Sequence, residues 1–363
     1  MASAAVPASA PAALDLSKVA SFNQPTYVTS APEDAQRLFV TERAGRIRVV
    51  TDGEKRSKPF LDITAKVGTA SEGGLLSMAF APGYKKNRRF YVYYVEGGSQ
   101  NIRIDEYRTK RSSPTRADKG SGRKVIEIRS PSDTHKGGQL QMTAGGYLLA
   151  GTGDGGDYNS PSKKSQKRGS LLGKLLRIKP DTGRKGRNWR PHPDNPFADR
   201  GRKGHPAILS LGLRNPWRFS LDRKNPGRVA IGDVGHSRTE EVNVGSLDRL
   251  DGVNFGWPCY EGGRKFRDCK VKRHRRPRFS YPHTKGRCSI TGGYVNRAPG
   301  LPRQGAYFYG DYCTGEIRTA SLTRGRSQST GLNVPSLVSF GEDAKGNLYT
   351  VSLSGDVKRI VNR

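Results

Sequence analysis

Short apolar runs recur along the chain, and turns rich in glycine and aspartate separate them. The recurring unit is a turn, a strand of roughly four to six residues, a loop and a second strand that often begins at a glycine. Each copy predicts the two central strands of one sheet in a repeat protein. The unit occurs six times, as DAQRLFVTERAGRIRVV, KNRRFYVYYVEGGSQNIRIDEY, TAGGYLLAGTGDGGD with GSLLGKLLRI, KNPGRVAIGDVGHSRTEEVNV, GAYFYGDYCTGEIRTASL and AKGNLYTVSLSGDVKRIV.

Six such units predict an all-β fold, a six-bladed β-propeller of four-stranded antiparallel blades. About 240 residues suffice for the strands and short turns of such a ring, and the chain has 363. The surplus predicts long loops on one face, where functional residues usually lie. A pair of β-sandwiches is the alternative, but it explains neither the repeat nor the glycine that follows the first strand of several units.

A propeller needs a device that closes its ring, because an open sheet edge exposes unpaired backbone groups. The segment QPTYVTSAP, residues 24–32, is predicted to add the outer strand to the blade built from the C-terminal residues 337–361. Residues 1–20 are rich in alanine, serine and proline and lack the basic start and apolar stretch of a signal peptide. They are predicted to be a linker or signal remnant, and residues 21–363 a single propeller domain.

The chain is strongly basic, with 64 lysines and arginines against 32 aspartates and glutamates and a net charge of +32. Such a field attracts polyanions without specificity. The favoured interpretation is a solvated surface suited to an anionic setting, with an anionic cell-surface polymer as a partner. The basic runs at residues 163–168 and 270–279 contain few aromatic residues and match no nucleic-acid module, so nucleic acid is not the predicted partner.

Four cysteines occur, all in the C-terminal half, and none forms the CxxC pair of a zinc site. Disulfides between neighbours, Cys259 with Cys269 and Cys288 with Cys313, are favoured because each closes a compact loop beside a strand. Two disulfides indicate an oxidising compartment, so a secreted, periplasmic or extracellular location is predicted. The alternative is four buried thiols in a cytosolic protein. No apolar run is long enough to span a bilayer.

The stretch SDTHKGGQLQMTAGGYLLAGTGDGGD contains one of six histidines in the chain and ends in a carboxylate flanked by glycines. A lone histidine is more often structural than catalytic. His135 and Asp154, however, lie at the two ends of one predicted antiparallel strand pair, which brings them back to the same edge. A carboxylate beside a histidine fixes its tautomer and raises its basicity. The pattern therefore predicts a catalytic base with its orienting partner.

Two further segments contain candidate functional groups. In GLRNP, Arg214 and Asn215 offer a cationic fork and an amide donor for an oxyanion, although asparagine before proline also opens turns. GDVGHSRTEEVN places Asp233, Glu240 and Glu241 in a predicted glycine-containing loop, the hard oxygen ligands that calcium prefers. Pairing of these carboxylates with nearby arginines is an equally weighted alternative.

Several motifs in a fixed order resemble those of the soluble glucose/sorbosone dehydrogenases, the aldose sugar dehydrogenases that depend on pyrroloquinoline quinone (PQQ). The similarity runs from about Phe22 to the C-terminus. The motifs that carry it are EGGLLSMAFAPGY with RFYVYYV, HKGGQL with GTGDGG, LGLRNPWRFSLD, GDVG with EEVN, NFGWP, and SITGGYV with YFYGDYCTG. The resemblance implies a six-bladed propeller that binds PQQ and Ca²⁺ on its axial face and oxidises the anomeric hydroxyl of an aldose to the lactone. It also implies a small sugar substrate and an external electron acceptor.

The resemblance assigns roles residue by residue. His135 would take the hydroxyl proton while hydride passes to the quinone, and Asp154 would orient it. Arg214 would act with them and contact the cofactor. The remaining assignments are Glu72, Asn215 and Arg297 to the cofactor, the carbonyls of Gly235 and His236 to the cofactor's Ca²⁺, and Glu241 with the Phe255 carbonyl to a second Ca²⁺.

Three positions depart from the family pattern. Glu72 stands where several members have glutamine, His236 follows DVG in place of the usual residue, and Glu316 stands where many members have arginine. A carboxylate close to a tricarboxylate cofactor repels it unless it points away. Because relatives of this fold include binding propellers such as the Hedgehog-interacting protein, the alternative function is a non-catalytic propeller that binds an anionic polymer or a protein.

Overall fold

The computed structural model describes residues 13–156, 163–181, 188–199 and 203–363. Within these residues, six antiparallel sheets of four or five strands are arranged as a six-bladed β-propeller. The fold class predicted from the sequence is confirmed.

The strands are numbered along the chain and the blades in the order in which their innermost strands appear. The first strand, β1, covers Leu14–Ser21 and belongs to blade six. Blade one contains β2 (Pro25–Thr29), β3 (Arg37–Glu42), β4 (Arg46–Thr51), β5 (Glu54–Lys55) and β6 (Leu61–Asp62). Blade two contains β7 (Leu75–Phe80), β8 (Arg89–Val95), β9 (Ile102–Thr109) and β10 (Ala117–Ile128). Blade three contains β11 (Leu140–Met142), β12 (Leu148–Thr152), β13 (Lys174–Pro180), β14 (Trp189–Pro191) and β15 (Ile208–Leu211).

Blade four contains β16 (Pro216–Asp222), β17 (Asn225–Asp233), β18 (Thr239–Ser246) and, after the small hairpin β19 (Tyr260–Glu261) and β20 (Arg264–Lys265), the strand β21 (Phe279–Pro282). Blade five contains β22 (Ile290–Val295), β23 (Tyr307–Asp311), β24 (Glu316–Ala320) and β25 (Ser327–Asn333). Blade six contains β26 (Leu337–Glu342), β27 (Leu348–Ser352) and β28 (Asp356–Asn362) together with β1. The short helices cover Thr64–Lys66, Tyr84–Asn87, Lys163–Gln166 and Leu247–Arg249.

The six repeats found in the sequence correspond to the second and third strands of the six blades, such as β3 with β4 and β27 with β28. These strands are paired on both edges and packed on both faces, so their residues are largely apolar. Neighbouring blades pack through aromatic rings. Phe39 of blade one and Phe80 of blade two, for example, meet edge to face with ring centroids 4.8 Å apart.

The ring is closed by a different strand from the one that the sequence suggested. Strand β1 pairs antiparallel with β28 and completes blade six, so the propeller begins at Leu14 and not after residue 20. Residues 25–29 of the predicted closing segment instead form β2, the innermost strand of blade one. The reason is burial, because β2 is almost wholly buried whereas β1 alternates and suits a blade's outer edge. Residues 1–12, the rest of the predicted linker, lie outside the described residues.

Both predicted disulfides are present. Cys259–Cys269 closes the small hairpin β19–β20, and Cys288–Cys313 joins the segments that flank β22 and β23. Among the described residues, no helix has the length and apolar composition needed to cross a membrane.

Candidate active site

A pocket of about 520 Å³ lies on the propeller axis, at the end where the innermost strands begin. In a propeller these strands run along the axis, so their first residues surround one opening. The pocket is lined by early residues of five innermost strands, namely Thr26, Leu76, Trp217, Thr291 and Val338. Loops that precede or follow the strands at this end add His135, Arg214, Asn215 and His236.

His135 and Asp154 form a hydrogen-bonded pair beside this pocket. The distance from His135 Nδ1 to Asp154 Oδ1 is 2.7 Å, and the Asp154 side chain is completely buried. His135 precedes β11 and Asp154 follows β12, and these strands pair antiparallel, as the sequence indicated. A carboxylate at Nδ1 favours the tautomer with the proton on Nδ1, which leaves Nε2 as the basic nitrogen.

Asp154 is held by more than the histidine. Its Oδ1 accepts a hydrogen bond from the Gly156 amide at 2.8 Å, and its Oδ2 accepts one from Trp257 Nε1 at 2.8 Å. Its own amide donates to the Arg214 carbonyl at 2.7 Å, which ties two of the site's loops together. Three donors on one buried carboxylate fix its orientation toward His135.

Gly153 allows the two loops to approach each other. A Cβ atom at this position would lie 1.9 Å from the His135 carbonyl oxygen, so any larger residue would push the histidine loop away. His135 itself adopts a left-handed backbone conformation with φ of 50°. Such a conformation in a non-glycine residue is uncommon and is often found at functional sites.

Asn215 connects four segments of the site. Its Oδ1 accepts the Gly137 amide at 2.9 Å, its Nδ2 donates to Glu72 Oε2 at 3.1 Å, and its own amide donates to Asp233 Oδ1 at 2.7 Å. Glu72 also accepts the Lys136 amide at 3.2 Å. The Glu72 carboxylate therefore lines the pocket, held by neutral donors.

Arg214 lines the pocket and packs against Trp257, with its guanidinium carbon 5.5 Å from the ring centroid. One terminal nitrogen donates to the Val234 carbonyl at 3.0 Å. Its Nε is buried without a hydrogen-bond partner. A buried donor without a protein acceptor is costly, so an acceptor from water or from a ligand would be favoured at this position.

A second arginine, Arg218, is fully buried on the axis directly behind the residues that line the pocket. It donates to Ser339 Oγ at 2.8 Å and to the carbonyls of Thr26 at 2.8 Å, Leu76 at 3.0 Å and Trp217 at 3.2 Å. All these acceptors are neutral, and burial lowers the pKa of Arg218 to about 10. The guanidinium remains charged at neutral pH and makes the pocket favourable for an anion.

The segment that follows β17 is organised around a carboxylate. Glu261 Oε1 accepts the amides of four successive residues, 236–239, at 2.8 to 3.2 Å. These amides lower the pKa of Glu261 even though burial alone would raise it. Its Oε2 is buried and has no hydrogen-bond partner. Glu240 is already occupied by His283 Nε2 at 2.6 Å and by the Ile290 amide at 2.8 Å.

Asp233 and Glu241 face each other across the strand pair β17–β18. The sequence had suggested that they lie in a loop, and that prediction is wrong for these two residues. Burial raises the pKa of Glu241 well above its usual range, and the neighbouring Asp233 carboxylate adds to this. Burial likewise raises the pKa of Asp233 to about 7. Asn243 donates to Glu241 at 3.3 Å, and its own Oδ1 is buried without a partner.

These oxygen atoms are the hard ligands that Ca²⁺ prefers, and two of them, Glu261 Oε2 and Asn243 Oδ1, are orphaned. They do not form a compact side-chain cage. In the described part of the chain, the only three His, Cys, Asp or Glu ligand atoms within 4.8 Å of one another belong to Cys288, Asp311 and Cys313. Since those cysteines form a disulfide, a cation near Glu241 would need backbone carbonyls as well.

The four metal positions assigned from the sequence are only partly brought together. Gly235 and His236 line the pocket, and Glu241 follows them on β18. Phe255 packs in the core of blades three and four, its amide donates to the Leu211 carbonyl at 2.9 Å, and its backbone hydrogen-bonds with His274. The Phe255 carbonyl as a calcium ligand stays a prediction.

Arg297 is not in the pocket. It lies two positions beyond Val295, the last residue of β22, whereas the pocket lies at the start of this strand. It forms a bidentate ion pair with Asp222 at 2.8 and 2.7 Å. The predicted contact with a cofactor carboxylate is therefore wrong.

The carboxylate of Glu316, the third departure from the family pattern, is paired with two arginines, Arg287 and Arg318. Its negative charge is neutralised within blade five.

Several important residues were not identified from the sequence. Trp257 stands in the quoted NFGWP motif, yet its bond to Asp154 joins positions 103 residues apart. Arg43 also lines the pocket and donates to the carbonyls of Gly73 and Thr69. The only available signals were the place of Trp257 in the NFGWP motif and the position of Arg43 directly after β3.

The fold and the site define a six-bladed propeller with an axial pocket and a buried histidine–aspartate pair. The family model described as Glucose / Sorbosone dehydrogenase matches residues 22–333. This chain belongs to that family.

Among relatives, the HIPL2 protein of Arabidopsis thaliana is 29% identical over 350 residues, which cover 77% of this chain and 49% of the relative. The human Hedgehog-interacting protein is 27% identical over 370 residues, covering 95% and 51%. The chain thus spans about half the length of the curated relatives it matches. The solved PQQ-bound aldose sugar dehydrogenase of Streptomyces coelicolor superposes with a TM-score of 0.75 at 23% identity, covering 97% of this chain and 99% of that one.

Proposed function

We propose that this chain is a PQQ- and Ca²⁺-dependent dehydrogenase that oxidises the anomeric hydroxyl of an aldose to the lactone and passes electrons to an external acceptor. The observation that carries the proposal is the His135–Asp154 pair, buried beside an axial pocket with Nε2 left as the basic nitrogen. A sugar hydroxyl needs such a base when its carbon loses a hydride. Membership in the Glucose / Sorbosone dehydrogenase family supports this reaction class.

The pocket suits a flat, polyanionic cofactor such as PQQ. Its volume of about 520 Å³ falls in the range of cofactor sites. The rings of Trp217 and His236 line it, the Arg214 Nε lacks an acceptor, and the charge of Arg218 lies behind it. PQQ would be held by Arg214 and Asn215, with Arg43 as a further cation.

When bound, PQQ supplies the two-electron acceptor for the hydride that leaves C1 of the sugar. The chain's own contribution is proton removal at the C1 hydroxyl. His135 Nε2 accepts that proton, and the Asp154 carboxylate on Nδ1 stabilises the imidazolium that results. The Arg214 guanidinium stabilises negative charge that develops on the oxygens of the pocket's occupant.

Calcium would be bound at the same end of blade four. The carbonyls of Gly235 and His236 are the proposed ligands beside the pocket, and Glu241 and the Phe255 carbonyl are the proposed ligands of a second ion. The orphaned Glu261 Oε2 and Asn243 Oδ1 support the presence of a cation in this region. The two disulfides support a secreted or periplasmic location.

The first test is reconstitution. We expect the purified chain to reduce an artificial dye with a panel of aldoses after PQQ and Ca²⁺ have been added together. Omission of PQQ should leave no measurable rate, because amino-acid side chains do not accept a hydride, and omission of Ca²⁺ should lower the rate, because the ion is proposed to hold the cofactor. If PQQ binds and no aldose in the panel supports dye reduction, the dehydrogenase proposal is wrong.

Glu72 provides a second prediction. Replacement of Glu72 by Gln removes a negative charge from the pocket while an amide can still accept from the Lys136 amide. Because the cofactor is a tricarboxylate, we expect Glu72→Gln to tighten PQQ binding by about tenfold. Quenching of the fluorescence of Trp217, which lines the pocket, measures this affinity without any turnover. Glu33→Gln, at an exposed position on another loop, is the matched control and should leave the affinity unchanged.

The non-catalytic binding propeller remains the second candidate, because the Hedgehog-interacting protein and HIPL2 match this chain. Reconstitution separates the two candidates. A binding propeller would show neither PQQ affinity in the fluorescence titration nor dye reduction with any sugar.

A further inference from the structure

A cavity of about 530 Å³ lies between blades four and five, far from the axial pocket. Strands β17 and β18 show where it is, because Asp233 pairs with Glu241 at the pocket end and Arg228 pairs with Ser246 at the other end. Arg228 and Ser246 line the cavity. It therefore opens on the face opposite to the proposed active site.

Five arginines line this cavity, which we name the arginine cleft: Arg228, Arg249, Arg275, Arg276 and Arg278. None of its described lining residues is acidic. Three of the arginines, Arg249, Arg276 and Arg278, are exposed, and the other two are half-buried. The guanidinium groups are thus concentrated in one concavity and accessible to a ligand.

The arginines are positioned largely by neutral groups. Arg275 donates to the Arg249 carbonyl at 3.0 Å and Arg278 to the Thr323 carbonyl at 3.3 Å. Arg228 lies 3.6 Å from Asp222, but that carboxylate is already engaged in the bidentate pair with Arg297. Burial lowers the pKa of Arg275, and the neighbouring arginines add to this. An anion would relieve this repulsion.

A second basic cavity extends the arginine cleft along the same segment. Its volume is about 680 Å³, and Lys270, Lys272 and Arg273 line it together with Arg168 and Lys203. Residues 270–278 thus supply cations to both cavities before they lead into β21. Two adjacent cationic cavities suit an extended polyanion better than a single small ion.

We propose that the arginine cleft and its neighbour bind a linear polysaccharide that carries sulfate or carboxylate groups. Arginine recognises both groups through paired N–H donors. No aromatic side chain lines the arginine cleft, and the described lining of its neighbour contains only Phe197, which is buried with Arg168 packed over its ring. The exposed stacking platform that single-stranded nucleic acids require is therefore missing from the described lining of both cavities. Binding in the arginine cleft would hold the protein on an anionic polymer while the axial pocket stays open to substrate.

The experiment compares two triple variants in a binding titration. Arg249→Gln/Arg276→Gln/Arg278→Gln removes three charges from the arginine cleft, and Lys85→Gln/Lys86→Gln/Lys110→Gln removes three exposed charges from blade two. Heparin is the sulfated probe, polygalacturonate the carboxylated probe, and duplex DNA of similar length the competitor. Circular dichroism melts of both variants check that the fold is intact.

We expect the arginine variant to bind at least one of the polysaccharides with an affinity at least about tenfold lower. The slope of log Kd against log salt concentration should fall by about two to three in the same variant. The lysine variant should change the affinity by less than about threefold. The two polysaccharides distinguish sulfate from carboxylate recognition. Equal losses in both variants, no binding to either polysaccharide, or tighter binding of duplex DNA would each overturn the proposal. Dye reduction is measured separately, so failure here is independent of the proposed activity.

Discussion

Replacement of His135 by Gln should lower kcat for aldose oxidation by a factor of about 10² to 10⁴, the contribution of a well-placed general base. Glutamine is close in size and polar, but it cannot accept a proton at neutral pH. The imidazole is held 2.7 Å from a fully buried carboxylate and lines the pocket, so its loss removes the oriented base of the site. Dye reduction by the PQQ-loaded variant measures the loss.

The comparison variant for this prediction is His192→Gln. His192 packs on Tyr147, with ring centroids 4.3 Å apart, and does not line the axial pocket. Its replacement should leave kcat unchanged. In both variants the affinity for PQQ should stay within about threefold of the original value, because neither variant loses an arginine that is proposed to bind the cofactor. A His135→Gln enzyme with more than a tenth of the normal kcat would show that another group takes the proton.

The sequence was sufficient to predict the propeller because each blade repeats one local signal. Central strands are buried on both faces wherever they occur, so their apolar character survives in every copy. The closing strand was a different matter. β1, with the sequence LDLSKVAS, is paired on one side and exposed on the other, so it has no continuous apolar run. Ser21 of β1 pairs with Asp356 of β28, and these two residues are 335 positions apart in the sequence. A local sequence pattern does not predict a pairing over such a separation.

The same reasoning separates the correct and incorrect expectations about the site. His135 and Asp154 were paired because a single hairpin relates them, and the alternation of strand direction is a local rule. Arg297 was misplaced because its motif contains the innermost strand of blade five, and a sequence does not tell which end of that strand faces a ligand. The first residue of the strand lines the pocket, whereas Arg297 lies beyond the last.

Contacts between side chains of different blades could not be predicted from the sequence either. Trp257 reaches Asp154 from blade four, and Arg218 reaches the carbonyls of blades one and two. The bond of Trp257 forms when blades three and four pack together, and the bonds of Arg218 form only once the ring has closed, because closure brings all innermost strands to one axis. The fold therefore supplies the charge behind the pocket and the third donor on the carboxylate, neither of which a motif shows.

Replacement of Asp154 by Asn should lower kcat by a factor of about 10³ or more and leave PQQ affinity within about threefold, because Asp154 positions the base and does not touch the cofactor. The two carboxylate oxygens accept three N–H groups, from His135, Gly156 and Trp257. An asparagine has one oxygen and one NH₂ group, so its NH₂ group must face at least one of these N–H donors, and that hydrogen bond is lost. If the NH₂ group faces His135, it favours the tautomer with the proton on Nε2, which abolishes the base.

Trp257→Phe and Asp154→Glu distinguish positioning from a general loss of structure. Trp257→Phe removes one donor from Oδ2 but keeps the bond from His135, so it should cost no more than about tenfold in kcat. Asp154→Glu keeps the charge and should restore part of the rate lost in Asp154→Asn. The low-field proton signal of His135 Nδ1–H should persist in Trp257→Phe and disappear in Asp154→Asn. If Asp154→Asn keeps that signal and its rate, the carboxylate serves only the fold, and the proton must leave the sugar by another route.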